Sequence, residues 1–267
     1  MRISVAALPA ALAYSGDEGV AKWEGYVVSS EAAFRAFLTG PVADRARDAE
    51  FGESFENELR GLATTGMGTR HLAEFLASVG DEKGWEIGEA FAESVLALDG
   101  NREVVWPWNH VRDRRTPAAS LPGADLVGFC RDAQGFGLLF GEVKTSSDAH
   151  VPPQVMYGRS GLTWQLETNA TNLAVQHSLL RWLRIRCSTP EMVAAYREAV
   201  GRYVNSSGKD LLLVGVLLRD TDSNEMDVAR RARHLGRCLA SPTRVEIQAW
   251  YIPVAISDLP VVLGGGA

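Results

Sequence analysis

The chain has 267 residues, of which 46% are hydrophobic and 22% are charged, and its formal net charge is −6. This composition is typical of a soluble globular protein with one α/β core and an accessory segment, or with two small domains. No run of about twenty apolar residues is present, so we expect no membrane span. The acidic balance argues against unaided nucleic-acid binding, unless basic residues cluster locally or a partner contributes.

The cysteines and histidines indicate the compartment and the metal chemistry to expect. Cys130, Cys187 and Cys238 lie far apart without CxxC spacing, and the histidines show no HxH or HExxH spacing. We therefore expect neither a disulfide framework nor a zinc site, and we place the protein in the reducing cytoplasm. Pro9 interrupts the apolar stretch at the start, which favours a strand or loop there over a signal peptide.

Residues 1–78 are predicted to form an N-terminal accessory region that is largely a helical extension. Helical patterns occur in SSEAAFRAFLTGP, with a serine cap and a Gly-Pro stop, and in ESFENELRGLA and TRHLAEFLASVG. The pattern becomes sharper beyond this point, so residues 79–262 are predicted to form the principal domain.

Helical and strand patterns alternate through the principal domain. WEIGEAFAESVLALDG has the spacing of an amphipathic helix, and REVVWPW, ADLVGFC and GFGLLFGEVKTS are predicted strands. One helical pattern then runs from about Thr163 to Arg184, and a second follows in STPEMVAAYREAVGRYV. DLLLVGVLLRD is typical of a central strand, and a helix over 225–239 and the strand VEIQAWYIPVAI complete the domain. This order predicts an α/β (α+β) fold with a central mixed sheet flanked by helices.

Two charged residues stand near the end of the third predicted strand. Glu142 and Lys144 are two residues apart, so they share one face of the strand, whereas Val143 points to the other face. Only four of the 27 basic residues are lysines. A lysine here is informative because its compact charge can orient or deprotonate a water molecule, whereas arginine stays charged.

A further carboxylate begins the preceding strand. If the strands form a hairpin through RDAQG, Asp125 approaches Glu142. Two carboxylates in oxygen-rich surroundings suit Mg²⁺ or Mn²⁺, and the carbonyl of Val143 would add a ligand. A metal held there would stabilise charge on a phosphodiester and activate the attacking water.

A carboxylate on one strand, Glu-x-Lys on the next and a glutamate on the preceding helix together resemble the PD-(D/E)xK nuclease superfamily. The resemblance implies a restriction-endonuclease-like αβββαβ core from about Glu82 to Leu218, apart from one extra helix after Ser188. It implies that Asp125 and Glu142 bind the metal and that Lys144 positions the attacking water or stabilises the transition state.

By the same resemblance, Glu89 is the catalytic helix glutamate, and Glu93 is its rival one turn later. The sequence departs from the family pattern because Ala124 replaces the proline before the aspartate. Gln154 and Tyr157 only loosely match the glutamine–tyrosine element of RecB-like members, because their spacing is not the usual one.

The loop NHVRDRR places Arg112, Arg114 and Arg115 beyond a strand. This segment is either a charged surface loop or a phosphate-contacting loop beside the active site, and both interpretations stay open. The basic run ARRARHLGR is interpreted mainly as a solvated helix face.

These patterns predict a metal-dependent DNA nuclease. A looser resemblance to nuclease subunits of bacterial phage-defence systems implies a partner such as a helicase or ATPase subunit. One alternative is a catalytically silent subunit that binds nucleic acid or a protein. Another is an α/β interaction protein in which Glu142 and Lys144 form only a surface ion pair.

Overall fold

A computed structural model describes residues 8–77, 82–100, 102–113 and 123–264. The described residues form a seven-stranded sheet in the order β1-β2-β7-β6-β5-β4-β3. Strands β2, β7, β6 and β5 are mutually parallel, and the pairs at both ends of the sheet are antiparallel. The predicted α/β class with a mixed central sheet is therefore confirmed. The strands are β1 (Ala11–Glu18), β2 (Ala21–Val27), β3 (Glu103–Val105), β4 (Leu126–Asp132), β5 (Gly135–Ser146), β6 (Leu211–Arg219) and β7 (Arg244–Tyr251).

Helices cover both faces of this sheet. None of the helices in the described ranges is both long and apolar enough to cross a membrane. Short 3-10 turns occupy Gln154–Met156, Glu225–Asp227 and Ile256–Asp258, and a π-helical turn occupies Leu38–Val42. The helices are α1 (Glu31–Phe37), α2 (Ala43–Arg47), α3 (Ala49–Leu62), α4 (Gly66–Leu76), α5 (Gly84–Ala97), α6 (His110–Asp113), α7 (Leu162–Thr171), α8 (Leu173–Arg186), α9 (Pro190–Asn205), α10 (Ala229–Cys238) and α11 (Leu259–Leu263).

The N-terminal region contains strands as well as the predicted helices. Strand β2 pairs in parallel with β7, so residues 21–27 lie beside residues 245–251 in the same sheet. Local periodicity does not predict such a pairing because the two strands are separated by most of the chain. Helices α1 to α4 follow, and the predicted division of the chain near residue 78 stays a prediction.

The predicted continuous helix from Thr163 to Arg184 is two helices. The chain leaves helical geometry at Asn172, which has a φ of −92° and a ψ of 102°. The Asn172 side chain accepts hydrogen bonds from the backbone N–H groups of Ala174 and Val175, and so caps α8. An asparagine side chain that binds nearby backbone groups competes with helix continuation, which accounts for the break.

The two faces of the sheet have separate hydrophobic cores. Helices α1, α2, α5 and α11 cover one face, which includes the buried Val143. Helices α7, α8, α9 and α10 cover the other face, which includes Phe140. Strand β6 is buried along its whole length, as its unbroken apolar pattern predicts. Because side chains alternate along a strand, Glu142 and Lys144 lie on the Phe140 face.

Candidate active site

The β4–β5 hairpin positions the two carboxylates. Leu126 is aligned with Gly141, and the next step of this antiparallel register places Asp125 opposite Glu142. The backbone N–H of Asp125 donates to the carbonyl of Gly141 at 3.0 Å. Directly opposed residues project from the same face of an antiparallel pair, so both carboxylates lie on one side of the sheet.

Lys144 lies between these two carboxylates. Its Nζ is 3.3 Å from Oε2 of Glu142 and 3.8 Å from Oδ2 of Asp125. The Glu142 side chain is 1% exposed, whereas those of Lys144 and Asp125 are 19% and 27% exposed. The structure thus brings the three predicted residues into one cluster that is buried at its base and open at its rim.

The electrostatics of the cluster favour a further positive charge. Burial, together with the charge of Asp125, raises the pKa of Glu142 to about 9, and the ammonium of Lys144 only partly opposes this shift. Two carboxylates that share a site repel one another when both are ionised. When Glu142 ionises, one lysine balances only one of the two negative charges, so a divalent cation would stabilise the ionised form and displace the Glu142 proton.

The backbone of Val143 also faces the site. Its N–H donates to Oδ2 of Asp125 at 2.9 Å. The N–H and C=O groups of one strand residue point toward the same neighbouring strand, so the Val143 carbonyl is directed toward the Asp125 edge. The oxygens of Asp125, Glu142 and Val143 therefore form a donor set that suits Mg²⁺ or Mn²⁺.

Helix α5 approaches the same strand from the opposite face. A Cβ built on Gly88 would lie 2.6 Å from Cγ2 of Thr145, so the helix backbone packs directly against β5. Glu89 is buried on this helix, with 9% of its surface exposed. Because α5 and the Glu142 side chain lie on different faces of the sheet, a role for Glu89 in the site stays a prediction.

Glu93, the rival of Glu89, is held elsewhere. It forms an ion pair with Arg45 on α2, and Arg45 also donates to the carbonyl of Trp108. Burial raises the pKa of Glu93, and the Arg45 guanidinium opposes this shift. Glu93 therefore joins α2 to α5, and the choice of Glu89 as the helix glutamate stays a prediction.

Of the three arginines predicted to contact nucleic acid, the structure describes Arg112. Its guanidinium lies 3.6 Å from Asp48 and 3.8 Å from Asp113, so acidic neighbours partly neutralise its charge. Arg114 and Arg115 lie outside the described residues. These contacts favour the surface-loop interpretation for Arg112.

A groove at the start of α7 brings together residues that no sequence motif connects. Tyr157 and Trp164 line it together with Arg231, whose guanidinium carbon is 4.0 Å from the centroid of the Tyr157 ring. The backbone N–H of Gln154, the other half of the predicted glutamine–tyrosine element, donates to Asp148. No short sequence motif contains these residues, because Arg231 is on α10 and lies far from the others in the chain.

Helix α7 carries this groove and also covers the strand next to the carboxylates. Gly215, which is aligned with Glu142, faces Leu162 and Leu166 of α7 so closely that a Cβ there would lie 2.8 Å from Leu162. The helix after β5 therefore shields the base of the cluster from solvent. Neither the models of known protein families nor the curated proteins match this sequence.

Proposed function

We propose that the chain is a metal-dependent nuclease that hydrolyses phosphodiester bonds in DNA with Mg²⁺ or Mn²⁺. The observation that carries this proposal is the cluster of Asp125, Glu142 and Lys144 at the adjoining ends of β4 and β5. Burying a glutamate beside an aspartate and a lysine destabilises the fold, since burial penalises each charge. A protein that keeps such a group therefore has a function for it, such as binding a metal ion. Such perturbed clusters are typical of functional sites.

The connectivity around the cluster supports the same family assignment. Helix α5 precedes the antiparallel strands β3, β4 and β5, and further helices lead to β6, which pairs in parallel with β5. This is the order that the PD-(D/E)xK resemblance implies. Three helices lie between β5 and β6, whereas the sequence pattern predicts two.

The roles of the residues follow from their positions. Asp125, Glu142 and the Val143 carbonyl would hold the metal, which would stabilise charge on the phosphate and lower the pKa of a bound water. Lys144, 3.3 Å from Glu142, orients the attacking water and balances negative charge as the phosphodiester reacts. Glu89 assists from α5 in this proposal.

The first test is cleavage of supercoiled plasmid and of single-stranded DNA, with Mg²⁺ or Mn²⁺ and with EDTA. Lys144→Ala should lower the metal-dependent rate by at least about 100-fold, because an oriented charge is lost at the reacting group. The matched control is Lys22→Ala, which removes an exposed lysine from β2. Cleavage that survives in Lys144→Ala would overturn the assignment.

A silent, nucleic-acid- or protein-binding subunit is the second candidate, and the net charge of −6 favours it. Acidic neighbours also partly neutralise Arg112. In that case a partner, such as a helicase or ATPase subunit of a defence or DNA-processing system, would bind the DNA. Calorimetry with Mn²⁺ separates the two functions: binding that Asp125→Asn removes, without cleavage by the wild type, supports the silent subunit.

A further inference from the structure

A second group of potential metal ligands lies between α7 and α10. His234 and Cys238 are four residues apart on α10, so their side chains project from the same side of that helix. Glu167 reaches them from α7. One ligand atom from each of the three residues lies within 4.8 Å of the other two. Sequence spacing does not reveal this group, because Glu167 is on a different helix and lies far from His234 and Cys238 in the chain.

Two of the separations among these ligand atoms are close to those around a tetrahedral ion. Nε2 of His234 is 3.7 Å from Sγ of Cys238 and 3.7 Å from Oε2 of Glu167. Zinc lies about 2.3 Å from sulfur and about 2.0–2.2 Å from nitrogen or oxygen, and tetrahedral angles then separate neighbouring ligands by about 3.4–3.6 Å. Side-chain rotations that bring all three atoms onto one ion must also close the gap between Glu167 and Cys238, whose ligand atoms lie within 4.8 Å of each other.

The charge and the chemistry of the ligands also suit zinc. A thiolate and a carboxylate carry two negative charges, which balance a divalent cation, and a neutral imidazole completes the set. Arg159 and Arg231 also line the groove, and the Arg231 guanidinium is held over the Tyr157 ring. The Asp125–Glu142 cluster offers only oxygen ligands and suits a harder ion.

An independent observation, an unpartnered buried hydroxyl group, points to a ligand in the adjoining groove. Glu167 and His234 line this groove, which has a volume of about 410 Å³. Thr163 also lines it, is only 5% exposed, and its hydroxyl has no hydrogen-bond partner among the described residues. Buried hydroxyl groups normally have a partner, and a water or small ligand on the metal would provide one.

We propose that Glu167, His234 and Cys238 form a Zn²⁺ site with one coordination position open to the groove. Binding deprotonates the Cys238 thiol and releases that proton to solvent. The ion links α10 to α7, and α7 packs over Gly215 beside Glu142. The site is thus separate from the proposed nuclease centre, but it secures the helix that covers it.

The test titrates the reduced, metal-free protein with Co²⁺, a spectroscopic substitute for Zn²⁺. Asp125→Asn serves as the background, so that the carboxylate cluster contributes little binding and failure of the nuclease proposal leaves the result unaffected. One equivalent of Co²⁺ should produce a thiolate-to-metal charge-transfer band with tetrahedral d–d absorption, and one equivalent of Zn²⁺ should remove both.

Single-residue variants in this background identify the ligands. Cys238→Ser should lose the thiolate band, and His234→Ala should weaken binding by at least roughly tenfold. His71→Ala, which removes an exposed histidine from α4, should leave both properties unchanged. Circular dichroism of each variant confirms that it is folded. Absence of the band in the Asp125→Asn protein, or its persistence in Cys238→Ser, would overturn the proposal.

Discussion

Replacing Glu142 by glutamine should remove both a pH-dependent cost to folding and the stabilisation by metal. The side chain is 1% exposed, and burial beside Asp125 raises its pKa to about 9 from the ordinary value of 4.5. Between these two values the folded protein binds more protons than the unfolded chain. The free energy of unfolding therefore falls as the pH rises through this window.

The size of the effect follows from the width of the window. Each pH unit above 4.5 corresponds to about 1.4 kcal/mol, so at pH 7 the cost is about 3 kcal/mol without metal. A divalent ion offsets it, because a ligand at 100 times its Kd stabilises the folded state by about 2.7 kcal/mol. In Glu142→Gln, position 142 has no carboxyl group to titrate, so this pH-dependent cost is absent. The metal site of this variant also has one fewer charged ligand.

Thermal denaturation in EDTA from pH 5 to pH 9, followed by the same series with Mn²⁺, measures both effects. The wild type should lose several degrees of Tm as the pH rises and recover them with Mn²⁺, whereas Glu142→Gln should show little of either change. Glu58→Gln, an exposed substitution on α3, should behave as the wild type. Equal pH slopes and equal Mn²⁺ shifts in Glu142→Gln and the wild type would refute the reasoning.

Two predictions concern packing and buried charge. Gly88→Ala should destabilise the protein by about 1–3 kcal/mol because its Cβ would meet Cγ2 of Thr145 at 2.6 Å, and a second change, Thr145→Ser, should restore most of the loss in urea denaturation. An equal loss in the single and double variants would contradict this contact. Asp227→Ala should cost about 3–5 kcal/mol, because it leaves the 1% exposed Arg219 side chain, now 3.5 Å from Asp227, without its carboxylate. The exposed Asp222→Ala should change the urea midpoint little, and a similarly small change in Asp227→Ala would contradict the prediction.

The local sequence was sufficient to predict much of the fold and the three residues of the carboxylate–lysine cluster. Thr189 and Pro190 mark the start of α9, where the threonine hydroxyl accepts from the N–H of Met192. The turn between β4 and β5 allows a short hairpin, and period-two alternation then places Asp125 and Glu142 on one face. These features depend on neighbouring residues, and so they can be read directly from the sequence.

Other features depend on residues that are distant in the chain. The parallel pairing of β2 with β7, the ion pair of Glu93 with Arg45 and the approach of Glu167 to His234 all require the complete sheet and its helices. Glu93 and Glu89 share one helix and one residue type, so the sequence alone does not show that Glu93 pairs with Arg45. Periodicity determines which side chains share a face of an element, whereas tertiary packing determines which elements meet there.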